Sequence, residues 1–253
     1  MIRSSFVFLD GIGETTEQRL WGRGITTWDE FMSCSSIARI SEERKRRYDA
    51  DLEKAESNLS CCNEAFFSHR LAGSHHWRLY NEFRDYVSFL DIETTGNYAG
   101  NKTTVVGIYN SSGYTSLVRG QDLSRESIIE ALGDSKLLVT FFGRGFDVPV
   151  LESEFGLELP KLHYDLCFAG KKVGLRGGLK SIEHELGISR SDDTTGLDGL
   201  DAVRLWGSYR RKGDLGALET LVQYNKEDVV NLVTLADIIF SRLRESATRL
   251  FPK

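Results

Sequence analysis

Residues 86–96 read Y-V-S-F-L-D-I-E-T-T-G, and the fold turns on this stretch. Its apolar, β-prone residues running into a glycine predict a strand. Asp91 and Glu93 lie two apart within it, so their side chains share one face. Adjacent carboxylates in an apolar run repel each other and lose hydration. The arrangement makes chemical sense when other acids join them around a cation.

Downstream, T-T-V-V-G-I-Y-N (103–110) and Y-T-S-L-V-R (114–119) read as two more strands. Gly96, Gly100 and Gly113 in the short connections suit antiparallel hairpins. A helix over about 124–132, a strand in K-L-L-V-T-F-F (136–142), a helix over about 147–156 and a strand in L-H-Y-D-L-C (162–167) follow. The remainder is helical and ends in a long apolar-periodic segment, 215–245. Three antiparallel strands followed by alternating helices and strands define an α/β fold, a mixed sheet flanked by helices.

Upstream the pattern is helical. Residues 6–32 hold two short helices, with Gly11 and Gly13 before the first, Gly24 after it, and a Thr27–Glu30 capping box opening the second. Ser41 opens a charged helix whose Tyr48, Leu52, Ala55 and Leu59 form one stripe. The expected organisation is a small helical accessory domain over 1–75 and an α/β domain over 76–253.

At 253 residues, 40% hydrophobic and 27% charged, the chain suits one large domain with a small appendage. Its apolar runs are too short to span a membrane, and its start lacks an export signal. Cys34, Cys61, Cys62 and Cys167 fit no zinc spacing and read as reduced thiols of a cytoplasmic protein. The net charge of −5 argues against a purely electrostatic nucleic-acid binder but is compatible with an acidic metal site acting on nucleic acid. Basic runs such as Arg44–Arg47 read as solvated faces rather than phosphate tracks.

Three stretches offer partners for Asp91 and Glu93. G-R-G-F-D-V-P-V-L places Asp147 at a glycine-rich helix entry. Y-N-K-E-D-V-V-N-L places Tyr224 and Asp228 one helical turn apart, and L-H-Y-D-L-C places Asp165 in a strand. Asp91, Glu93, Asp147 and Asp228 are all oxygen ligands, which favours Mg²⁺ or Mn²⁺ over zinc. Two such cations can activate water and stabilise the leaving oxygen of a phosphodiester, with Tyr224 orienting the water. The same acids taken singly read as helix-dipole partners or surface groups.

D-I-E-T-T-G, the later F-D and Y-x-x-x-D resemble the three motifs of the DEDD exonucleases, in the tyrosine-bearing DEDDy variant, whose fold is ribonuclease H-like. The resemblance is closest to the YprB-like branch. It extends over H-H-W-R-L-Y-N-E-F, L-V-T-F-F-G-R-G-F-D-V-P, G-L-R-G-G-L-K-S-I-E, D-G-L-D-A-V-R-L-W and Y-N-K-E-D-V-V-N-L, covering roughly residues 75–240. It implies a 3′→5′ exonuclease using two divalent ions. On this resemblance Asp91 would bridge both metals, Glu93 and Asp228 would help hold the water-bearing metal, Asp147 would help bind the second, and Tyr224 would position the water. Thr94 and Thr95 fall where the family holds the terminal nucleotide. The branch usually carries Asn before the glycine of its second motif; here Phe142 precedes Gly143. Phe142 reads first as core filler at a strand end and second as a residue that stacks on a base.

In G-L-R-G-G-L-K-S (174–181), Ser181 and neighbouring amides open a helix, with Arg176 and Lys180 able to reach phosphates. Asp165 reads as a supporting residue. L-D-G-I-G (9–13) resembles the hairpin of helix-hairpin-helix elements, in which Gly11, Ile12 and Gly13 would bring backbone amides to a phosphate. Expected partners are 3′ ends of single-stranded DNA, favoured over RNA, and a helicase or repair protein docking on the N-terminal domain; no membrane is expected. A nucleic-acid-binding adaptor with weak nuclease activity and a structure-selective endonuclease of the same fold are the rival readings.

Overall fold

The computed structural model describes residues 1–96, 102–249 and 251; Gly100 of the first hairpin lies outside them. The chain forms two compact units, one of residues 1–84 with 240–253 and one of residues 85–239.

The first unit contains α1 (Glu14–Trp21), α2 (Trp28–Ser33), α3 (Glu42–Ser60) and α4 (Glu64–Ser68). The Thr27–Glu30 capping box forms, and the Ser41 side chain caps α3. The stripe of α3 (Tyr48, Leu52, Ala55 and Leu59) is buried against an aromatic core that includes Phe6, Trp21, Phe31 and Phe67. Within this apolar unit lies one fully enclosed ion pair. Arg78 donates to both oxygens of Glu17, at 2.9 and 2.8 Å, while Glu17 also accepts the Phe6 amide at 2.6 Å.

The second unit contains β1 (Val87–Thr94), β2 (Thr103–Asn110), β3 (Gly113–Val118), α5 (Arg125–Leu132), β4 (Leu137–Thr140), α6 (Asp147–Phe155), β5 (Leu162–Asp165), α7 (Leu166–Lys172), α8 (Leu179–Leu186), α9 (Gly199–Lys212) and α10 (Leu215–Thr248) as far as residue 239, the last turns of α10 belonging to the first unit. The sheet order is β3-β2-β1-β4-β5, with the first three strands antiparallel and β4 and β5 parallel to β1. This is the α/β mixed sheet expected from the sequence. Strand alternation sorts the side chains of β1 onto two faces. Leu90 and Ile92 join Val106, Ile108, Leu138 and Leu151 in one core layer. On the opposite face Val105 packs with Trp206, Leu221 and Tyr224 of α9 and α10, and Asp91 and Glu93 point to this side. The four cysteines are free, and among the described residues no helix is long and apolar enough to cross a membrane.

Candidate metal centre

Asp91 and Glu93 leave β1 toward α10, and Asp228 of α10 meets them. Ligand atoms of these three carboxylates all lie within 4.8 Å of one another. Glu93 and Asp228 are buried and Asp91 is half-buried. Burial first, then the neighbouring acids, pushes Asp91 and Glu93 well above the usual carboxylate range. Burial also raises Asp228, opposed by Arg190 and Lys180. Three crowded oxygen donors that resist ionising together suit a hard divalent cation, whose charge would offset the repulsion.

Asp147 does not belong to that trio. Beyond Phe89, β4 no longer pairs with β1, and the carboxylate of Asp147 at the start of α6 accepts the Ile92 amide at 3.1 Å. Asp147 is pushed up to about 7, chiefly by burial, while that amide bond pulls it down; its charge in turn raises Asp91 and Glu93. It therefore closes one side of the site through the backbone of β1.

Tyr224, one turn before Asp228, is buried, and Lys180 of α8 donates to its hydroxyl at 2.8 Å. The Lys180 ammonium also sits 4.3 Å from the Tyr224 ring centroid and bonds the Leu197 carbonyl. Lys180 is thus turned inward to the tyrosine. Burial and the nearby acids raise Tyr224, so its hydroxyl stays protonated and can donate.

Three supporting residues escaped sequence reasoning. The Asn225 side-chain amide donates to the Asp91 carboxylate at 3.0 Å, and its oxygen accepts from Tyr114 at 3.1 Å. Gly107 pairs with Asp91 across the ladder, and a Cβ there would collide with the Asn225 side chain. Arg190 bonds both Asp228 and Glu183, the latter at 2.7 Å. A polar residue beside Tyr224 on a core-facing helix was the available signal for Asn225. Arg190 lies in an irregular segment with no local signal.

The remaining expected residues lie in varied settings. Thr94 follows a register shift in β1, and the Thr95 hydroxyl accepts the Lys102 amide at 3.2 Å. The Gly143 amide is held by Thr140. Phe142 is 45% exposed, so the core-filler reading is corrected: its ring lies 5.9 Å from that of Phe168, itself 44% exposed. Asp165 is a scaffold acid, as expected, accepting the amides of Phe142, Arg144 and Cys167 at 3.0, 3.0 and 3.1 Å. Arg176 and Ser181 are exposed around the start of α8. Gly11, Ile12 and Gly13 lie in the first unit, just before α1. A cavity of about 440 Å³ lined by Ser88, Asn110 and Ser135 opens near the start of β1, away from the carboxylates.

Residues 88–240, more than half of the chain, match the RNase_H_2 family, described as the RNase_H superfamily. Among solved structures, that of the family B DNA polymerase from the hyperthermophilic archaeon Pyrobaculum calidifontis is similar at 16% identity and a TM-score of 0.47, over 60% of this chain and 24% of that one. The similarity thus spans about a quarter of the polymerase chain. No curated protein sequence matches. The family match supports a nuclease, and the acidic trio could hold a divalent metal. It runs from the strand bearing Asp91 to the helix bearing Asp228, taking in both walls of the carboxylate site, and the chain belongs to the RNase_H superfamily.

Proposed function

We propose that this protein is a metal-dependent 3′→5′ exonuclease that hydrolyses phosphodiester bonds of single-stranded nucleic acid, DNA in preference to RNA. The observation that carries this reading is the meeting of Asp91, Glu93 and Asp228, with Tyr224 one helical turn away. Asp91, Glu93, Asp228 and Asp147 would hold two divalent ions, Mg²⁺ or Mn²⁺, which supply charge neutralisation at the phosphate and a more acidic water. Asn225 fixes the orientation of Asp91, and Arg190 that of Asp228. Lys180 fills one lone pair of the Tyr224 hydroxyl, leaving its proton to orient the attacking water. Thr94, Thr95, Gly143, Arg176 and Ser181 are the proposed contacts to the terminal nucleotide and its phosphates. Phe142, exposed beside Phe168, is the proposed stacking platform for a base. A helicase or repair factor is the proposed protein partner of the N-terminal unit.

The test is incubation of the protein with Mg²⁺ or Mn²⁺ and 5′-labelled single-stranded DNA or RNA, alongside Asp91→Asn. A progressively shortening, metal-dependent ladder that the variant lacks is expected. Tight binding without cleavage in either metal would replace the exonuclease with a binding adaptor. A single internal cut would replace it with an endonuclease.

A further inference from the structure

The N-terminal unit contains a second polar concavity. Arg19, Arg23, Arg39 and Arg44 line a pocket of about 100 Å³ together with Gly11 and Tyr48, and no lining residue is acidic. Among the described residues none of these four arginines forms an ion pair. Arg3 and Arg78 of the same unit are both paired to glutamates. In a chain with 37 acidic and 32 basic residues, four converging guanidinium groups without a carboxylate run against the overall balance. All four are exposed, so solvent screens their mutual repulsion, and an anion entering the cluster would meet guanidinium donors with no competing carboxylate in the lining.

The pocket is built rather than incidental. The Arg44 Nε donates to the Tyr48 hydroxyl at 3.1 Å, and Tyr48, fully buried, donates in turn to the Asp10 carbonyl at 2.7 Å. The Arg44 guanidinium also lies 5.4 Å from the Tyr48 ring centroid. Gly11 has φ +75°, a conformation that favours glycine, and a Cβ there would lie 2.8 Å from Arg44 Nη2 and push the guanidinium aside. On the other wall Arg23 donates to the Ala38 carbonyl at 3.3 Å, and Arg39 holds φ +71° in the turn bridged by Ile37 and Ile40. Pockets for drug-sized ligands are about 300–1,000 Å³, so this one is too small for a nucleoside and suits a single anionic group. Guanidinium forks match phosphate oxygens in geometry and charge. A larger, more open concavity shares Gly11 and Ile12 with the pocket, with Arg70 and the carboxylates of Asp10 and Asp51 also in its lining.

We propose that this arginine pocket takes one phosphate of a single-stranded nucleic-acid backbone and serves as an anchoring subsite distinct from the carboxylate centre. The identity of the polymer rests on the nuclease reading above; the anion chemistry does not.

The experiment uses the full-length protein in EDTA, with fluorescence anisotropy of labelled oligo(dT) over a series of KCl concentrations. Arg39→Gln/Arg44→Gln is expected to weaken binding about tenfold, in keeping with the loss of charged hydrogen bonds. The slope of log affinity against log salt should flatten by about 0.7 for one single-strand phosphate. Arg19→Gln/Arg23→Gln, at exposed positions of α1 and the turn after it, should act in the same direction with an unchanged melting temperature. Arg242→Gln, an exposed arginine elsewhere in this unit, should leave affinity unchanged. Wild-type affinity and salt slope in both double variants would overturn the proposal. Inorganic phosphate that stabilises the wild type but not the variants, while oligo(dT) binding is unaffected, would overturn the nucleic-acid assignment. Hydrolysis of thymidine 5′-phosphate p-nitrophenyl ester by the wild type in Mn²⁺ is scored separately. Its failure alongside arginine-dependent oligo(dT) binding would count against the nuclease reading and leave the pocket standing.

Discussion

Gly107 stands opposite Asp91 in the β1–β2 ladder, and the volume it leaves empty is occupied by the Asn225 side chain, which reaches across from α10 to hold the Asp91 carboxylate. Three elements thus converge on one acid: a strand supplies it, its neighbour makes room, and a helix orients it. The two supporting steps, at Gly107 and Asn225, depend on size and hydrogen bonding rather than on charge.

Gly107→Ala is therefore expected to act on the site and the fold together. The new methyl group must displace Asn225, and overpacking of this kind costs about 1–3 kcal/mol. Nuclease activity should fall about tenfold or more as Asp91 loses its orienting bond. Thermal melts and initial rates check both; an alanine variant with wild-type rates would show that Asn225 has no part in placing Asp91.

Asp91→Asn should separate metal binding from stability. The variant removes one of several crowded, mutually repelling carboxylates, so the metal-free protein should be at least as stable as the wild type. Adding Mn²⁺ should raise the melting temperature of the wild type by mass action and that of the variant much less. Differential scanning calorimetry with and without the ion reads this directly. An equal Mn²⁺ shift in both proteins would place the bound ion elsewhere.

The parts legible in the sequence are those encoded locally. The strand alternation of β1, the capping box at Thr27 and the apolar stripe of α3 all act within a few residues, and each forms as its spacing implies. Asp91 and Glu93 stood out because charge in an apolar strand is costly, and Asp228 because it lies one helical turn from Tyr224 in a Y-x-x-x-D spacing. Gly107, Asn225 and Arg190 carried no comparable signal, because their roles exist only once α10 and the segment bearing Arg190 pack against the sheet face. Phe142 misled for a related reason: an aromatic next to a strand end is ordinarily core, yet here Asp165 pins the backbone so that the ring faces outward.

Phe142 has φ +64°, a left-handed conformation that bulky residues adopt at a cost and asparagine adopts readily. Phe142→Asn should accordingly stabilise the protein by about 1 kcal/mol. Loss of the ring beside Phe168 should weaken single-strand binding by about 1–3 kcal/mol if it stacks on a base. Chemical denaturation and anisotropy read the two effects independently. Greater stability with unchanged binding would remove Phe142 from the substrate path.

The Glu17–Arg78 pair supports the N-terminal unit in a way a double-mutant cycle can resolve. Both side chains are buried, Arg78 clamps both Glu17 oxygens, and Glu17 also holds the amides of Phe6 and Val7, at 2.6 and 3.3 Å. Arg78→Met leaves a buried carboxylate without its counter-charge, and such a loss costs about 3–5 kcal/mol. Glu17→Met strands Arg78 in the same way and also frees those two amides, so it should cost at least as much. Glu17→Met/Arg78→Met removes both charges and should recover a large part of the loss, with the amides of Phe6 and Val7 left as the residual penalty. The coupling energy from urea denaturation of the four proteins gives the worth of the pair. Additive losses would mean that the two charges act independently, and the ion pair would then have no special part in holding this unit together.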